Sequence, residues 1–277
     1  MTGTIGSTVT LNDGVAIPRL GFGVYQIEND AVADAVGHAF AAGYRHIDTA
    51  AIYGNETGVG EGIARSGLPR EELFVTTKVW NDKQGHDATL KAFDRSLRQL
   101  GLEYVDLYLI HWPCPSRGLF VETWRALEEL LAAGKTRAIG VSNFRVPDLE
   151  TLLAETEVVP ALNQIELHPY LQQEELRAFH AAHGIATEAW SPLGRGAVLE
   201  DPTIARIAAA HGVSPAQVMI RWHLQLGNIV IPKSSTPARI AENADVFGFA
   251  LSDAEMAAIA ALDRGLRTGP DPSTFGS

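Results

Sequence analysis

Cysteine is almost absent. The single Cys114 in 277 residues leaves no internal disulfide framework and no cysteine-based zinc site, which is compatible with a reducing compartment. Positive charge is scarce too: 22 Lys and Arg stand against 33 Asp and Glu, a formal net charge of −11. A surface this acidic repels phosphate backbones, so nucleic acid is not an expected partner, and an anionic ligand would need a local basic cluster. No run approaches the ~18 apolar residues of a membrane helix. The opening stretch has neither a basic n-region nor an apolar h-region. A soluble cytoplasmic protein is therefore expected, with no membrane association. No low-complexity linker and no sequence repeat divides the chain, so residues 1–277 read as one domain. No GxGxxG follows the first strand-like run: Gly21-Phe22-Gly23 opens no helix, and Gly58-Val59-Gly60-Glu61-Gly62 lies inside a helical stretch.

What is present is ordinary globular composition, 46% hydrophobic and 20% charged, in a chain long enough to bury roughly three quarters of its unfolded surface. Strand-like runs fall at Leu20–Tyr25, Tyr44–Asp48, Leu73–Val79, Val105–His111, Thr136–Val141, Ala161–Ile165, Ile185–Trp190 and Asn228–Pro232. Amphipathic segments separate them: Asp30–Ala42, Asn55–Ser66, Asp87–Leu100, Val121–Ala133, Val146–Glu155, Gln173–His183, and the pair Pro202–His211 and Pro215–Leu226. Asp30, Ser214 and Ser252 stand where N-caps belong, and Pro202 and Pro215 where a first-turn proline belongs. Gly43, Gly101, Gly134, Gly184, Gly212 and Gly227 each follow a helical stretch, as C-terminal glycines do.

Eight strands alternating with helices predict an α/β (β/α)8 TIM barrel rather than a doubly wound sheet. Ahead of it, Thr8–Leu11, Asn12-Asp13-Gly14 and Val15–Pro18 read as a hairpin that would plug the barrel bottom. The tail, Gly265–Ser277, is rich in Gly, Pro, Ser and Thr and reads as a loop.

Barrel chemistry sits at the C-terminal strand ends, and those ends carry unusual residues. The second run ends in Asp48 with Tyr53 five residues on, the third carries Lys78 one residue before its end, and the fourth ends in His111. Taken singly these are unremarkable: a helix-preceding cap, a loop aromatic, a satisfied core histidine. Lys78 is the exception, since an unpaired charge at the end of an apolar strand is costly. Together they suit carbonyl reduction. A tyrosine with a pKa near 10 is a poor acid at neutral pH, and an adjacent ammonium lowers that value by stabilising the phenolate. Lys78 would supply the ammonium, Asp48 would hold it, and His111 would hydrogen-bond the substrate carbonyl. A competing reading makes His46, Asp48, His111 and His168 the ligands of a metal-dependent barrel hydrolase. It leaves Lys78 and Tyr53 without a role, and no metal is expected.

The strings LGFGVY, GYRHIDTAAIYGNE, VTTKVWN, VDLYLIHWP, IGVSNF, NQIELHP, WSPLGRG and IPKSS occur in an order that resembles the aldo-keto reductase superfamily, closest to bacterial 2,5-diketo-D-gluconate reductases. The resemblance runs from Leu11 to about Asp263. It implies the catalytic tetrad Asp48, Tyr53, Lys78 and His111, and ordered transfer of the pro-R hydride from NADPH. Ser142, Asn143 and Gln164 would hydrogen-bond the nicotinamide carboxamide, and Trp190 would stack on its ring. Ser191, Leu193 and Gly194 would line the pyrophosphate, with Arg195 nearby. Lys233, Ser234 and Arg239 would hold the 2′-phosphate, and Glu242 and Asn243 would contact adenine. Lys233 and Arg239 then form the local basic cluster that the net charge demands, beside a helix beginning near Pro237.

The resemblance further implies a substrate pocket lined by Tyr25, Ile52, Trp80, His111, Trp112 and Asn143. Small dicarbonyls such as methylglyoxal, or 2,5-diketo-D-gluconate with its carboxylate paired to Arg195, are the expected substrates. The short polar tail suggests an open, tolerant pocket. A monomer is expected, and an NADPH-binding regulatory subunit with little turnover is the alternative within the family.

Overall fold

A computed structural model describes residues 3–276; Met1, Thr2 and Ser277, which belong to the expected domain and tail, lie outside the described residues. The chain opens with strands β1 (Thr8–Thr10) and β2 (Ala16–Pro18), paired antiparallel with Val9 opposite Ile17. Their turn follows from its residues. The Asp13 carboxylate accepts from the Val15 amide at 2.9 Å, and Gly14 takes φ +87° at no steric cost. Leu11 and Ile17 pack against Phe74, Leu107, Ala138, Leu162 and Ile229, on five different strands of the main sheet. The hairpin therefore plugs the end of the barrel where the strands begin, as expected.

The main sheet has eight parallel strands in chain order. They are β3 (Phe22–Gly23), β4 (His46–Asp48), β5 (Phe74–Val79), β6 (Val105–Ile110), β7 (Thr136–Ser142), β8 (Leu162–Glu166), β9 (Ala186–Trp190) and β10 (Ile229–Val230). The sheet closes on itself where Leu20 bridges Val230: the Gly21 amide donates to Val230 O at 2.9 Å, and the Val230 amide to Arg19 O at 2.9 Å. The (β/α)8 barrel is thus confirmed and the doubly wound sheet set aside. The first and last strands are shorter than their apolar runs. Leu20 and Gly21 are taken up by the closing contact, and Pro232 has no amide to donate.

Helices α1 (Val32–Ala41), α2 (Glu56–Ser66), α3 (His86–Leu100), α4 (Phe120–Ala132), α5 (Val146–Glu155), α6 (Glu174–Ala182), α7 (Pro202–His211), α8 (Pro215–Gln225), α9 (Pro237–Ala244) and α10 (Asp253–Ala260) include every predicted segment. In α3, Thr89, Phe93, Ser96, Leu97 and Leu100 form the buried stripe, the spacing of one helical face. Ser214 and Ser252 cap their helices through reciprocal bonds with Gln217 and Glu255. All six expected terminal glycines have positive φ. Asp30 is a correction: it caps nothing. A turn on Glu28 O takes the amides of Ala31 and Val32, at 3.0 and 2.9 Å, and starts α1 after Ala31. The glycines within α2 serve packing: a Cβ at Gly58 would strike Asn29 O, and one at Gly60 would strike Leu100 O.

Candidate active site

The plug fills the barrel's lower end with apolar side chains. Above it the interior turns polar. Asp48 ends β4, and Lys78 lies one residue before the end of β5. Lys78 Nζ donates to Asp48 Oδ1 at 2.7 Å and to the Thr49 carbonyl at 2.9 Å, and the ammonium has no exposure to water. Burial alone would lower the lysine pKa. The Asp48 charge and the Tyr53 hydroxyl overcome it, and the pKa stands above its ordinary value. Lys78 is a fixed cation.

Tyr53 reaches this cation from the loop after β4. A single 3₁₀ turn, Ala51–Tyr53, is stopped by Gly54 at φ +70°. Buried Asn55 pins the loop: Nδ2 donates to Val24 O at 3.0 Å and Ile27 O at 2.9 Å, and Oδ1 accepts from Thr49 Oγ1 at 3.1 Å. The Tyr53 ring stands 5.4 Å from Lys78 Nζ, and its hydroxyl hydrogen-bonds Lys78. Here the expectation needs correction. Burial outweighs Lys78, and the Tyr53 pKa is raised to about 12 rather than lowered. Lys78 still pulls it below what burial alone would give.

His111 follows β6. Its ring packs edge-on against Trp80 at 5.1 Å and Tyr53 at 5.8 Å. Burial and the Lys78 charge push its pKa well below the ordinary value, so the ring is neutral at neutral pH. A neutral imidazole beside a tyrosine hydroxyl offers two hydrogen-bond donors at one point of the cavity floor.

The cavity above measures about 680 Å³, within the usual range for small-molecule sites. Asp48, Tyr53 and His111 lie at its floor, while Lys78 is buried behind them. Tyr25, Ile52, Trp80 and Trp112 line the cavity. Ser142, Asn143, Gln164 and Trp190 come from the ends of β7, β8 and β9 and are joined to one another. Trp190 Nε1 donates to Asn143 Oδ1 at 2.8 Å; Asn143 Nδ2 donates to His111 O at 2.9 Å; Ser142 Oγ donates to Gln164 O at 2.8 Å. Ser191, Leu193 and Arg195 line the cavity after β9, and exposed Lys233 lines it after β10. Gly194 is buried next to them, outside the lining. Ser234, Arg239, Glu242 and Asn243 lie farther out. Ser234 Oγ accepts from the Thr236 amide in the turn before α9, Arg239 is exposed on that helix, and Asn243 is buried. Asn143, Ser191, Arg195 and Gln26 line the same cavity with positive φ, between +48° and +63°. Each costs roughly 1–2 kcal/mol in a residue with a Cβ, and such strain gathers at functional sites.

The tail is a loop, as expected, and it also contributes to the pocket wall. Glu166, fully buried at the end of β8, accepts from the Thr268 amide and hydroxyl, both at 2.6 Å, from the Gly269 amide at 3.0 Å and from His168 Nε2 at 3.1 Å. Burial alone would raise this carboxyl; the donors bring it down to about 2. Fixed there, the tail runs on so that Pro270 and Phe275 line the cavity, and the Phe275 ring lies 4.5 Å from Trp112 and 6.2 Å from Trp80. Glu166 and Phe275 were not foreseen. The signals were a carboxylate ending an apolar strand and the one aromatic in a polar tail.

The metal-ligand reading fails on geometry. His46 Nε2 faces Thr76 Oγ1 at 3.0 Å, and His168 faces Glu166. Among the described residues no three His, Cys, Asp or Glu side chains converge as a metal site. None of the described helices is long and apolar enough to cross a membrane.

Comparison with known proteins agrees with this architecture. The family model described as "Aldo/keto reductase family" matches residues 19–264. An aldo-keto reductase of Mycolicibacterium smegmatis is 59% identical, over 96% of this chain and 97% of its own length. A glyoxal reductase of Bacillus subtilis is 51% identical, over 98% of both chains. A variant of Gox0644, solved in complex with NADPH, superposes with a TM-score of 0.93 at 51% identity, covering 97% of this chain and 98% of its own. The chain belongs to the aldo/keto reductase family of oxidoreductases.

Proposed function

We propose that this enzyme reduces aldehydes and ketones to alcohols with NADPH, as one barrel domain over residues 1–277. One observation carries the reading: a fully buried ammonium, Lys78, held by Asp48 directly beneath a tyrosine hydroxyl and a neutral imidazole that share a cavity floor. That arrangement donates a proton, and a hydrogen bond, to one oxygen.

The cavity suits a dinucleotide in size, in its strained backbone lining and in its cations. When bound, the nicotinamide supplies the hydride. Trp190 offers a flat face to the ring, and Ser142, Asn143 and Gln164 offer polar groups to its carboxamide. Ser191, Leu193, Gly194 and Arg195 would line the pyrophosphate. Lys233, Ser234 and Arg239, with uncapped amides in the first turn of α9, favour a 2′-phosphate, and Glu242 and Asn243 would meet adenine. A charge-assisted bond is worth about 1.5–3 kcal/mol, enough to prefer NADPH over NADH tenfold or more.

His111 donates to the substrate carbonyl and polarises it. As the carbonyl carbon accepts the hydride, its oxygen gains negative charge, and Tyr53 passes its proton to that oxygen. A pKa of about 12 is no obstacle, because an alkoxide is a stronger base than a phenolate. Lys78 stabilises the phenolate that remains until solvent returns the proton.

Tyr25, Ile52, Trp80, Trp112 and Phe275 leave room for a compact substrate, which favours small dicarbonyls such as methylglyoxal. Arg195 at the cavity wall favours a second reading, a diketo sugar acid such as 2,5-diketo-D-gluconate. A cytoplasmic monomer fits the acidic surface.

The test follows NADPH absorbance against 2,5-diketo-D-gluconate, methylglyoxal, phenylglyoxal and DL-glyceraldehyde, with NADH in parallel and Tyr53→Phe as control. Turnover that prefers NADPH and needs Tyr53 is the expected result. Tight NADPH binding without turnover would favour a regulatory subunit, and absence of binding would overturn the cofactor assignment.

A further inference from the structure

Gln164 holds its amide nitrogen between two carboxyl groups. Nε2 donates to Asp48 Oδ2 at 2.7 Å and to Glu188 Oε2 at 2.8 Å. An amide nitrogen carries two hydrogens, and both are spent. Turned end for end, the amide would set its own oxygen against two carboxyl groups, so this network fixes its orientation. What Gln164 has left for a ligand in the cavity is its carbonyl oxygen, an acceptor.

Asp48 alone would not enforce this. A single acceptor leaves the amide free to swing about that bond and to offer its second N–H to the cavity. Glu188 removes that freedom. It lies on β9 in register with Gln164 on β8 and has no exposure to water. The groups facing it are Asp48 and His46 from β4 and Lys78 from β5. His46 Nε2 is 3.9 Å away, and its ring faces Thr76. Glu188 Oε1 has no hydrogen-bond partner. Burial and the Asp48 charge raise the Glu188 carboxyl to about 8. At neutral pH it is mostly uncharged, and Asp48 keeps its ion pair with Lys78 without a rival charge. A buried carboxyl group in the middle of an apolar strand, with one oxygen on Gln164 and the other on nothing, has no packing role that a hydrocarbon would not fill better.

We propose that Glu188 is a positioning residue that forks the Gln164 amide with Asp48, so that Gln164 meets the cofactor only as an acceptor and selects a nicotinamide whose ring substituent carries an N–H. The inference rests on the NADPH reading above and adds a residue to it.

The experiment measures dissociation constants by tryptophan quenching for NADPH and for its 3-acetylpyridine analogue, whose acetyl group lacks the N–H. The wild-type chain is expected to prefer NADPH by about five- to tenfold, the worth of one hydrogen bond. Glu188→Met, of similar length, is expected to lose most of that preference by weakening NADPH alone. Glu188→Gln keeps an acceptor oxygen and is expected to restore it. A wild-type chain that binds both cofactors equally overturns the proposal with no variant needed. So does a Glu188→Met chain that weakens both by the same factor, or a folded Glu188→Gln chain that discriminates no better than Glu188→Met. A wild-type chain that binds neither cofactor overturns the NADPH reading itself.

Discussion

In the proposed mechanism Lys78 serves both stability and chemistry. Replacing it by Met removes the cation that steadies a Tyr53 phenolate, and kcat should fall by roughly 10²–10⁴-fold. It also leaves the Asp48 carboxylate buried without its partner, which costs about 3–5 kcal/mol. Steady-state kinetics and a urea melt read the two losses separately, and an active, equally stable Lys78→Met chain would sink the assignment. Glu188 gives a pH prediction with a definite sign. Its folded pKa of about 8 lies above the reference 4.5, so the folded chain holds a proton that the unfolded chain releases. The stability this contributes is complete below about 4.5 and is lost as pH rises through about 8. His46, lowered to about 3 from 6.5, works in the opposite sense but in a lower window. Between pH 6.5 and 8 the Tm of the wild-type chain should therefore fall, and that of Glu188→Gln should stay flatter, by calorimetry at fixed ionic strength. The clustering of Asp48, Tyr53, Lys78 and His111 was legible in sequence because each lies at or near the C-terminal end of a strand. Glu188 was not, because it hides inside an apolar run whose hydrophobicity drew the eye to its neighbours. For Tyr53, sequence shows the neighbouring cation but not the depth of burial that outweighs it.

At the scale of elements, the helices were the most legible part. Their caps and terminal glycines are local chemistry, as in the Ser214–Gln217 and Ser252–Glu255 boxes. The strands at the barrel's closing edge were less so, because their extent depends on partners far away in the chain, as with Leu20 and Val230. The contacts of the tail were hidden for the same reason. Part of its hold on the barrel is one buried carboxylate, 102 residues away from Thr268, beside the bond from the Leu266 amide to Tyr170 O. Replacing Glu166 by Ala removes the acceptor for three tail donors, and trypsin should then cut after Arg264 or Arg267 several-fold faster than in the wild-type chain. Equal cleavage rates would mean that the tail is held by something else. Phe275→Ala tests the other end of the same segment. Removing a ring that packs on Trp112 and Trp80 should raise the ratio of kcat/KM for phenylglyoxal to that for methylglyoxal. An unchanged ratio would take Phe275 out of substrate choice.

The whole molecule is an anion that has to attract an anion. With a net charge of −11, its general field repels NADPH, and Lys233 and Arg239, as the proposed 2′-phosphate ligands, would have to work against that background over a Debye length of roughly 8–10 Å. Lys233→Met should therefore raise the NADPH KM about tenfold and leave the NADH KM nearly unchanged; equal effects on both would place the 2′-phosphate elsewhere. The division of labour along the barrel axis is equally clear: the β1–β2 hairpin fills one end, and the chemistry occupies the other.

That division reaches into the tail, which has a chassis and a working tip. A Cβ at Gly269 would strike the Trp190 ring and crowd the Glu166 carboxylate, so this point of the path favours glycine. Six residues on, the Phe275 ring packs on the aromatic wall it helps to build. A laboratory evolving this enzyme toward new carbonyl compounds should thus randomise Pro270 and Phe275 while holding Glu166, Thr268 and Gly269 constant. A library built that way explores pocket shape without spending its members on chains whose tail no longer packs on Trp190.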